Sequence, residues 1–312
     1  MYNLFIDEKT VSAYDAVDNS WKLNFSAKPK LTEFWHANKF ISDIDSALYI
    51  IGGYGMLHYK NFVQRYSFRD RTWEVLPTQG AFFMPRYLSA LGTNAANDTA
   101  YIIGGYGSKT GDQRVRSKYN FELMTYSVSD RKFNHIYNFK QPEKEFCFAN
   151  SLIIDDKANQ FYGLIFPIDK FNSHLQLIRG SLSSPEYEFL GDSIPYSFHD
   201  IESFADLYYC PSSKKLVGVT LLSDKNKSTS IKIFTIDFPP NKLIITQPVN
   251  ASIKSFYWFF AFLFTSVLMI IIIFLIQKRR KQNQPPVIDT TLPIIQSKPS
   301  FQSLAVEDTL SS

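Results

Sequence analysis

The sequence is poor in the residues that chemistry usually needs. Cysteine occurs only as Cys147 and Cys210, without the short ligand spacing of a zinc site. The two are read as buried free thiols, with one disulfide in an oxidising compartment as the alternative. Five histidines, His36, His58, His135, His174 and His199, include no HExxH and no other close-spaced ligand pair. There is no G-x-S-x-G, no P-loop and no repeated Asp box. No metal, no cofactor and no catalytic residue is therefore expected. Charge of one sign is also scarce. A net charge of +4 is too mild to argue for bound nucleic acid.

What the chain has instead is aromatic side chains and a repeat. Residues 47–55 read ALYIIGGYG and residues 99–107 read TAYIIGGYG. Gly52 and Gly53 thus recur as Gly104 and Gly105, 52 positions on. The flanks repeat too: Tyr66 is followed by Trp73, Tyr126 by Phe133 and, upstream, Tyr14 by Trp21. Trp21 to Trp73 is again 52 residues, whereas Trp73 to Phe133 is 60. The excess sits in one polar insertion, SKTGDQRVRSK (108–118). A fixed period near fifty marks a repeat architecture. LYII and AYII are β-branched and aromatic runs, which predicts strands. Gly-Gly permits φ > 0 and close backbone approach at their ends. Asp-Arg and Asp-Asn fill hairpin turns, and the following Trp or Phe buries its ring against a neighbouring unit. Such units cannot bury both faces alone, so they must stack.

Gly-Gly, then Tyr, then an aromatic about seven residues later resembles the kelch repeat, and MPRYLSALG (84–92) resembles its Pro-Arg-bearing first strand. The resemblance implies an all-β fold, an incomplete kelch-type β-propeller of about four to five blades. The blades would span 2–24 (partial), 33–79, 82–139, 143–190 and 197–248, the last two degenerate. CFANSLIIDDKANQFYGLIF (147–166) aligns without gaps on 86–105, but Ile165 and Phe166 replace the glycines. Ligands of propellers usually meet loops at one mouth. Arg86, Tyr54, Tyr106 and His58 sit near repeat landmarks that could line it. The insertion adds Lys109, Arg114, Arg116 and Lys118, suited to an anionic ligand such as an acidic glycan. The structural alternative makes the tyrosines packing residues, Arg86 an inter-blade hydrogen-bond donor and the insertion a solvated loop. The galactose oxidases also use kelch propellers, but their copper chemistry needs a cysteine–tyrosine pair that Cys147 and Cys210 do not reproduce.

One long apolar run is present. FYWFFAFLFTSVLMIIIIFLI (256–276) has 21 uncharged residues, enough for about 30 Å of helix. This predicts a single transmembrane helix. Lys278, Arg279, Arg280 and Lys281 would face the cytoplasm, with Tyr257 and Trp258 at the outer interface. The expected location is the plasma (inner) membrane, single-pass, with the blades outside. Residues 277–312 read as a disordered cytoplasmic tail. No signal sequence precedes the first blade and the chain starts inside it, so the expectation is a fragment of a larger transmembrane signalling regulator. The predicted role is binding or sensing of a protein or glycan, with self-association or a partner to complete the ring. An anchored carbohydrate-active enzyme and a non-functional truncated remnant are the alternatives.

Overall fold

A computed structural model describes residues 2–21, 33–223, 228–241, 269 and 271–276. The chain divides into two units, Met1–Ile245 and Thr246–Ser312. The first is all-β, and its strands group into five mainly antiparallel sheets in chain order, the third and fourth joined by one parallel bridge, Leu91↔Ser151, into a ten-stranded sheet. Sheet 1 holds β1 (Tyr2–Phe5), β2 (Thr10–Asp15) and β3 (Ser20–Trp21). Sheet 2 holds β4 (Asn38–Ser42), β5 (Ala47–Ile51), β8 (Val63–Ser67) and β9 (Thr72–Leu76). Between β5 and β8 stands a small hairpin of β6 (Tyr54–Gly55) and β7 (His58–Tyr59). Sheet 3 is built from β11 (Arg86–Thr93), β12 (Thr99–Gly107), β14 (Glu122–Ser127) and β15 (Lys132–Asn138). Short strands β10 (Gln79–Gly80) and β13 (Lys118–Tyr119) pair with β15 and β12. Sheet 4 holds β16 (Cys147–Asp155), β17 (Gln160–Phe166), β18 (Asn172–Ser181) and β19 (Tyr187–Ser197). Sheet 5 holds β20 (Ser203–Cys210), β21 (Lys215–Ser223) and β22 (Thr229–Asp237).

The sequence period is a period of register. Moving the β4–β5 pair Asn38↔Ile51 on by 52 residues gives Ala90↔Ile103 of β11–β12. Tyr14↔Trp21, Tyr66↔Trp73 and Tyr126↔Phe133 are each direct cross-strand partners, with ring centroids 5.2, 5.1 and 4.9 Å apart. In sheet 4, Leu152↔Gly163 repeats Leu91↔Ile102 at a shift of 61. Nearer Ile165 and Phe166 the register slips, with an irregularity between Phe148 and Leu152. The turns follow one rule as well. Lys9, Asn19, Ser46, Arg71, Arg131, Asn159 and Lys214 all have φ near +50° immediately before the next strand. This is the left-handed residue that closes a hairpin built on a type I turn. The Ser67 and Ser127 hydroxyls accept from the Asp70 and Asp130 N–H groups and so cap two equivalent turns.

Successive sheets bury their faces against one another. Ala37, Leu48, Ile50 and Tyr66 of sheet 2 and its entry pack on Leu4, Ile6 and Val11 of sheet 1. Phe40, Tyr49, Ile51 and Val63 meet Ile102, Met124, Tyr126 and Phe133 of sheet 3. Ile103, Leu123 and Phe139 meet Phe148, Phe161 and Ile178 of sheet 4. Leu164, Leu177 and Ile194 meet Ala205, Leu207, Leu216 and Ile236 of sheet 5. Each buried Val, Leu, Ile, Phe or Met among them contributes about 1.5–3 kcal/mol. First strands are also stitched by polar side chains. Asn38 Nδ2 donates to the carbonyls of Ser89 (2.8 Å) and Asn150 (3.0 Å), and the Ser151 hydroxyl bonds the backbone of Leu207.

Gly52 (φ +70°) and Gly104 (φ +69°) stand where one sheet meets the next. A Cβ on Gly52 would lie 3.0 Å from the Arg86 carbonyl, and one on Gly104 would lie 2.3 Å from the Phe148 ring. The glycines therefore admit the incoming first strand.

Two expectations are corrected. Among the described residues no closed propeller is detected: sheets 1 and 5 carry three strands each, and no strand pairing joins them. Sheet 5 instead meets sheet 2 through side chains, the His36 ring stacking on Phe204 at 4.4 Å. The transmembrane anchor and the plasma-membrane, single-pass location are also not supported. Among the described residues no helix is long and apolar enough to cross a membrane. Of the run 256–276, only Met269 and residues 271–276 are described, all helical. Tyr257, Trp258, Lys278, Arg279, Arg280 and Lys281 lie outside the described residues, as does the tail 277–312.

Candidate functional site

Tyrosines gather at the end of the sheets where each first strand begins. Tyr54 and Tyr59 flank the β6–β7 hairpin, Tyr87 is the second residue of β11, Tyr106 lies near the end of β12 and Tyr119 is in β13. Their ring centroids form a chain: Tyr54–Tyr87 5.1 Å, Tyr54–Tyr59 5.4 Å, Tyr59–Tyr87 5.6 Å, Tyr59–Tyr106 6.3 Å and Tyr106–Tyr119 5.1 Å. Burial is the main reason that all five hold their protons more tightly than a free tyrosine, with Tyr59 pushed up to about 12. The charge of Asp200 adds to this at Tyr54, Tyr59 and Tyr87.

The insertion 108–118 is a clasp over the hairpin. The Tyr59 N–H donates to the Gly111 carbonyl (2.7 Å), and the Gln113 N–H to Leu57 (3.0 Å). Tyr54 and Tyr59 hydroxyls donate to Gln113 Oε1 (2.6 Å) and Ser117 Oγ (3.1 Å). His58 bridges Asp112 through the backbone, and its ring faces the Met56 carbonyl at 2.8 Å. Arg114 is spent on its own loop, bonding Asp112 through Nε (3.1 Å) and Nη2 (2.8 Å). That pairing holds the Asp112 carboxyl down at about 2. Lys109, Arg116 and Lys118 are exposed.

Arg86 lies beneath this end and is completely buried. Its guanidinium bonds the Gly104 carbonyl (3.2 Å), pairs with Glu122 (3.0 Å) and lies over the Phe83 ring at 4.3 Å. Burial lowers its pKa despite the Glu122 charge. Arg86 therefore ties the glycine pair of β12 to β14. Gly53 and Gly105 are buried beside it, and the Gly53 N–H donates to the Arg86 carbonyl. Tyr54, His58, Tyr106 and the insertion thus come together at the surface, whereas Arg86 does not reach it.

The connection from sheet 4 to sheet 5 completes the end. Residues Phe198–Glu202 contain a single 3-10 turn, Asp200–Glu202. Asp200 has φ +44°, and its carboxylate accepts from the Tyr87 hydroxyl at 3.0 Å. Its carbonyl faces His36 Nε2 at 3.1 Å. Tyr87, Ile168, Phe171, Phe198, His199, Asp200, Ile201 and Glu202 line a cavity of about 480 Å³. A larger groove of about 1050 Å³ touches Tyr119, and its walls mix Glu143, Glu145 and Asp169 with Lys144 and Lys170.

Tyr59, Tyr87 and Tyr119 escaped the sequence reading, as did Asp200 and Glu202. Tyr87 was visible inside the MPRYLSALG match. The segment FHDIES, crowded with titratable residues, was the available signal for Asp200 and Glu202, and no local pattern pointed to Tyr59 or Tyr119. Both cysteines are free: Cys147 is buried, its thiol held protonated by burial, and Cys210 is half-buried. Among the described residues no group of three His, Cys, Asp or Glu side chains is placed to hold a metal ion. The chain matches no protein-family model and no curated protein.

Proposed function

We propose that this chain is a recognition module, binding or sensing a partner without chemistry of its own, and that its ligand seats at the tyrosine end. One observation carries the reading. Tyr54 of the β6–β7 hairpin packs on Tyr87 of sheet 3, and Asp200 of the connection into sheet 5 accepts from Tyr87 beside an open cavity. Tyr59 and Tyr87 belong to the core between the sheets, and the half-buried Tyr54, Tyr106 and Tyr119 pack on it and carry aromatic surface toward the solvent. Tyrosine offers a large, stiff, amphipathic contact at low entropic cost, which suits binding. The buried Tyr59 and Tyr87 keep their protons and spend them on Ser117 and Asp200, which fixes the rings on which the half-buried tyrosines pack. The resemblance of the repeats to kelch repeats supports the same role, with a protein or a glycan as partner.

The test is a binding screen of the full chain against oligosaccharides and peptides, read by amide chemical shifts. Ligands are expected to move the signals of Tyr54, Phe171 and Glu202. Replacing the exposed ring in Phe171→Ala should weaken binding tenfold or more without altering the fold. Turnover of a glycoside that is lost in Asp200→Asn would overturn the reading in favour of a carbohydrate-active enzyme.

A further inference from the structure

We infer that the cavity beside Tyr87 takes a positively charged nitrogen group, an ammonium or a guanidinium, held between aromatic rings and two carboxylates. The inference rests on the proposed binding role and names its ligand class. Tyr87, Phe171 and Phe198 supply aromatic surface to the lining, and Asp200 and Glu202 supply negative charge. No lysine or arginine lines the cavity, and His199 is the one basic side chain in it. An aromatic face attracts a cation through its quadrupole. A carboxylate adds a charge-assisted hydrogen bond. An anion would meet two like charges in the same space.

The construction favours a built site over a chance hollow. Asp200 has a left-handed backbone, which aspartate tolerates better than bulkier side chains do. Two contacts from elsewhere in the fold hold it in place: the Tyr87 hydroxyl on its carboxylate and the His36 ring on its carbonyl. The opposite wall is fixed by the Phe198 N–H, which donates to the Phe171 carbonyl at 2.8 Å. Phe171 is nevertheless 73% exposed, so its ring faces water at the rim, where a ligand would cover it. The field of Asp200 extends over the neighbouring rings, since Tyr54, Tyr59 and Tyr87 all hold their protons more tightly partly because of it. The exposed cations of the insertion, Lys109, Arg116 and Lys118, are not part of this lining.

The experiment titrates the full chain with n-butylammonium and n-propylguanidinium, with n-pentanol as the uncharged control. Two glycine-flanked peptides, carrying one lysine or one arginine, form a second arm. Amide shifts of Phe171, His199 and Glu202 report occupancy. Both cations should bind at least tenfold more tightly than pentanol. Asp200→Asn, which keeps a residue tolerant of positive φ, and Glu202→Gln should each weaken the cations and leave pentanol unchanged. Tighter binding of the peptides than of the free cations would assign the group to a protein side chain, and equal binding to a small amine. Equal affinity for cation and alcohol overturns the inference. Neutral sugars or acidic peptides that move these signals while cations do not overturn the ligand class and leave the binding role standing. Silence toward every class of ligand overturns both.

Discussion

Gly104 shows how much one missing side chain decides. At φ +69° it occupies a backbone region that costs an L-residue about 1–2 kcal/mol. It also leaves room for Phe148, whose Cδ2 would lie 2.3 Å from an added Cβ. Phe148 is almost completely buried and belongs to the core between sheets 3 and 4, so it cannot swing into solvent. Gly104→Ala should therefore cost about 2–4 kcal/mol, adding overpacking to backbone strain. The two parts separate in a cycle with Phe148→Ala, measured by urea denaturation. With the ring gone, the second cost of Gly104→Ala should fall to about 1 kcal/mol. An unchanged cost would show that backbone strain alone makes glycine necessary. Arg86 belongs to the same scale. Its lack of exposure makes it a strut of the inter-sheet joint, carried by Gly104, Glu122 and Phe83.

The β6–β7 hairpin is the element where local preference and structure conflict. Its two-residue turn is Met56-Leu57, with φ +51° and +64°. Two positive φ values make a type I′ turn, which favours Asn-Gly and disfavours bulky side chains. Both residues are also exposed, at 61% and 52%, so burial does not offset the strain. The clasp holds the hairpin instead, through Gly111 and Gln113. Replacing the pair by Met56→Asn and Leu57→Gly should raise stability by about 1–2 kcal/mol, read as a higher urea midpoint. If the tip takes part in recognition, the same change weakens ligand binding. A variant that is no more stable than the parent would mean that the clasp, and not the turn residues, sets the hairpin geometry. Such elements also mark the limit of what was legible in the sequence. The Tyr–aromatic spacing could be read because it is a cross-strand pair, local in the chain and repeated three times. The strands of sheet 4 could be read through matched residues such as Tyr101 and Tyr162, even without glycines. Tyr59, Tyr87 and Asp200 meet only after three sheets are packed, and no local pattern encodes that meeting. The apolar run 256–276 misled for the opposite reason. Its hydropathy is strong, but the described residues contain no helix of spanning length.

At the scale of the whole β unit, cohesion depends on faces and on one long-range link. Four hydrophobic cores join neighbouring sheets, but sheet 2 reaches sheet 5 mainly through its entry loop. There His36 stacks on Phe204 at 4.4 Å, with Nε2 facing the Asp200 carbonyl and Nδ1 facing Asn150 Oδ1. His36 is buried, whereas His58, His135, His174 and His199 are exposed. Burial lowers its pKa below 6.5, and nearby Lys39 acts in the same direction. The Asp200 carbonyl, the Asn150 amide and the Asp200 charge oppose that shift without reversing it. In the unfolded chain the imidazole titrates near 6.5. Below that pH the unfolded state takes up a proton that the folded state resists, so stability falls as pH drops. The loss begins near pH 6.5, has a slope of at most about 1.4 kcal/mol per pH unit, and ends once the folded state is protonated too. Above pH 7.5 this group contributes no slope. The urea midpoint of the parent should therefore fall between pH 7.5 and 5.5 by more than that of His36→Gln. The variant should be less stable at pH 7.5, where it loses the ring contact with Phe204, and the two curves should converge toward pH 5.5. Parallel curves would show that His36 titrates alike in the folded and unfolded chain, and that burial between sheets 2 and 5 does not hold the ring neutral.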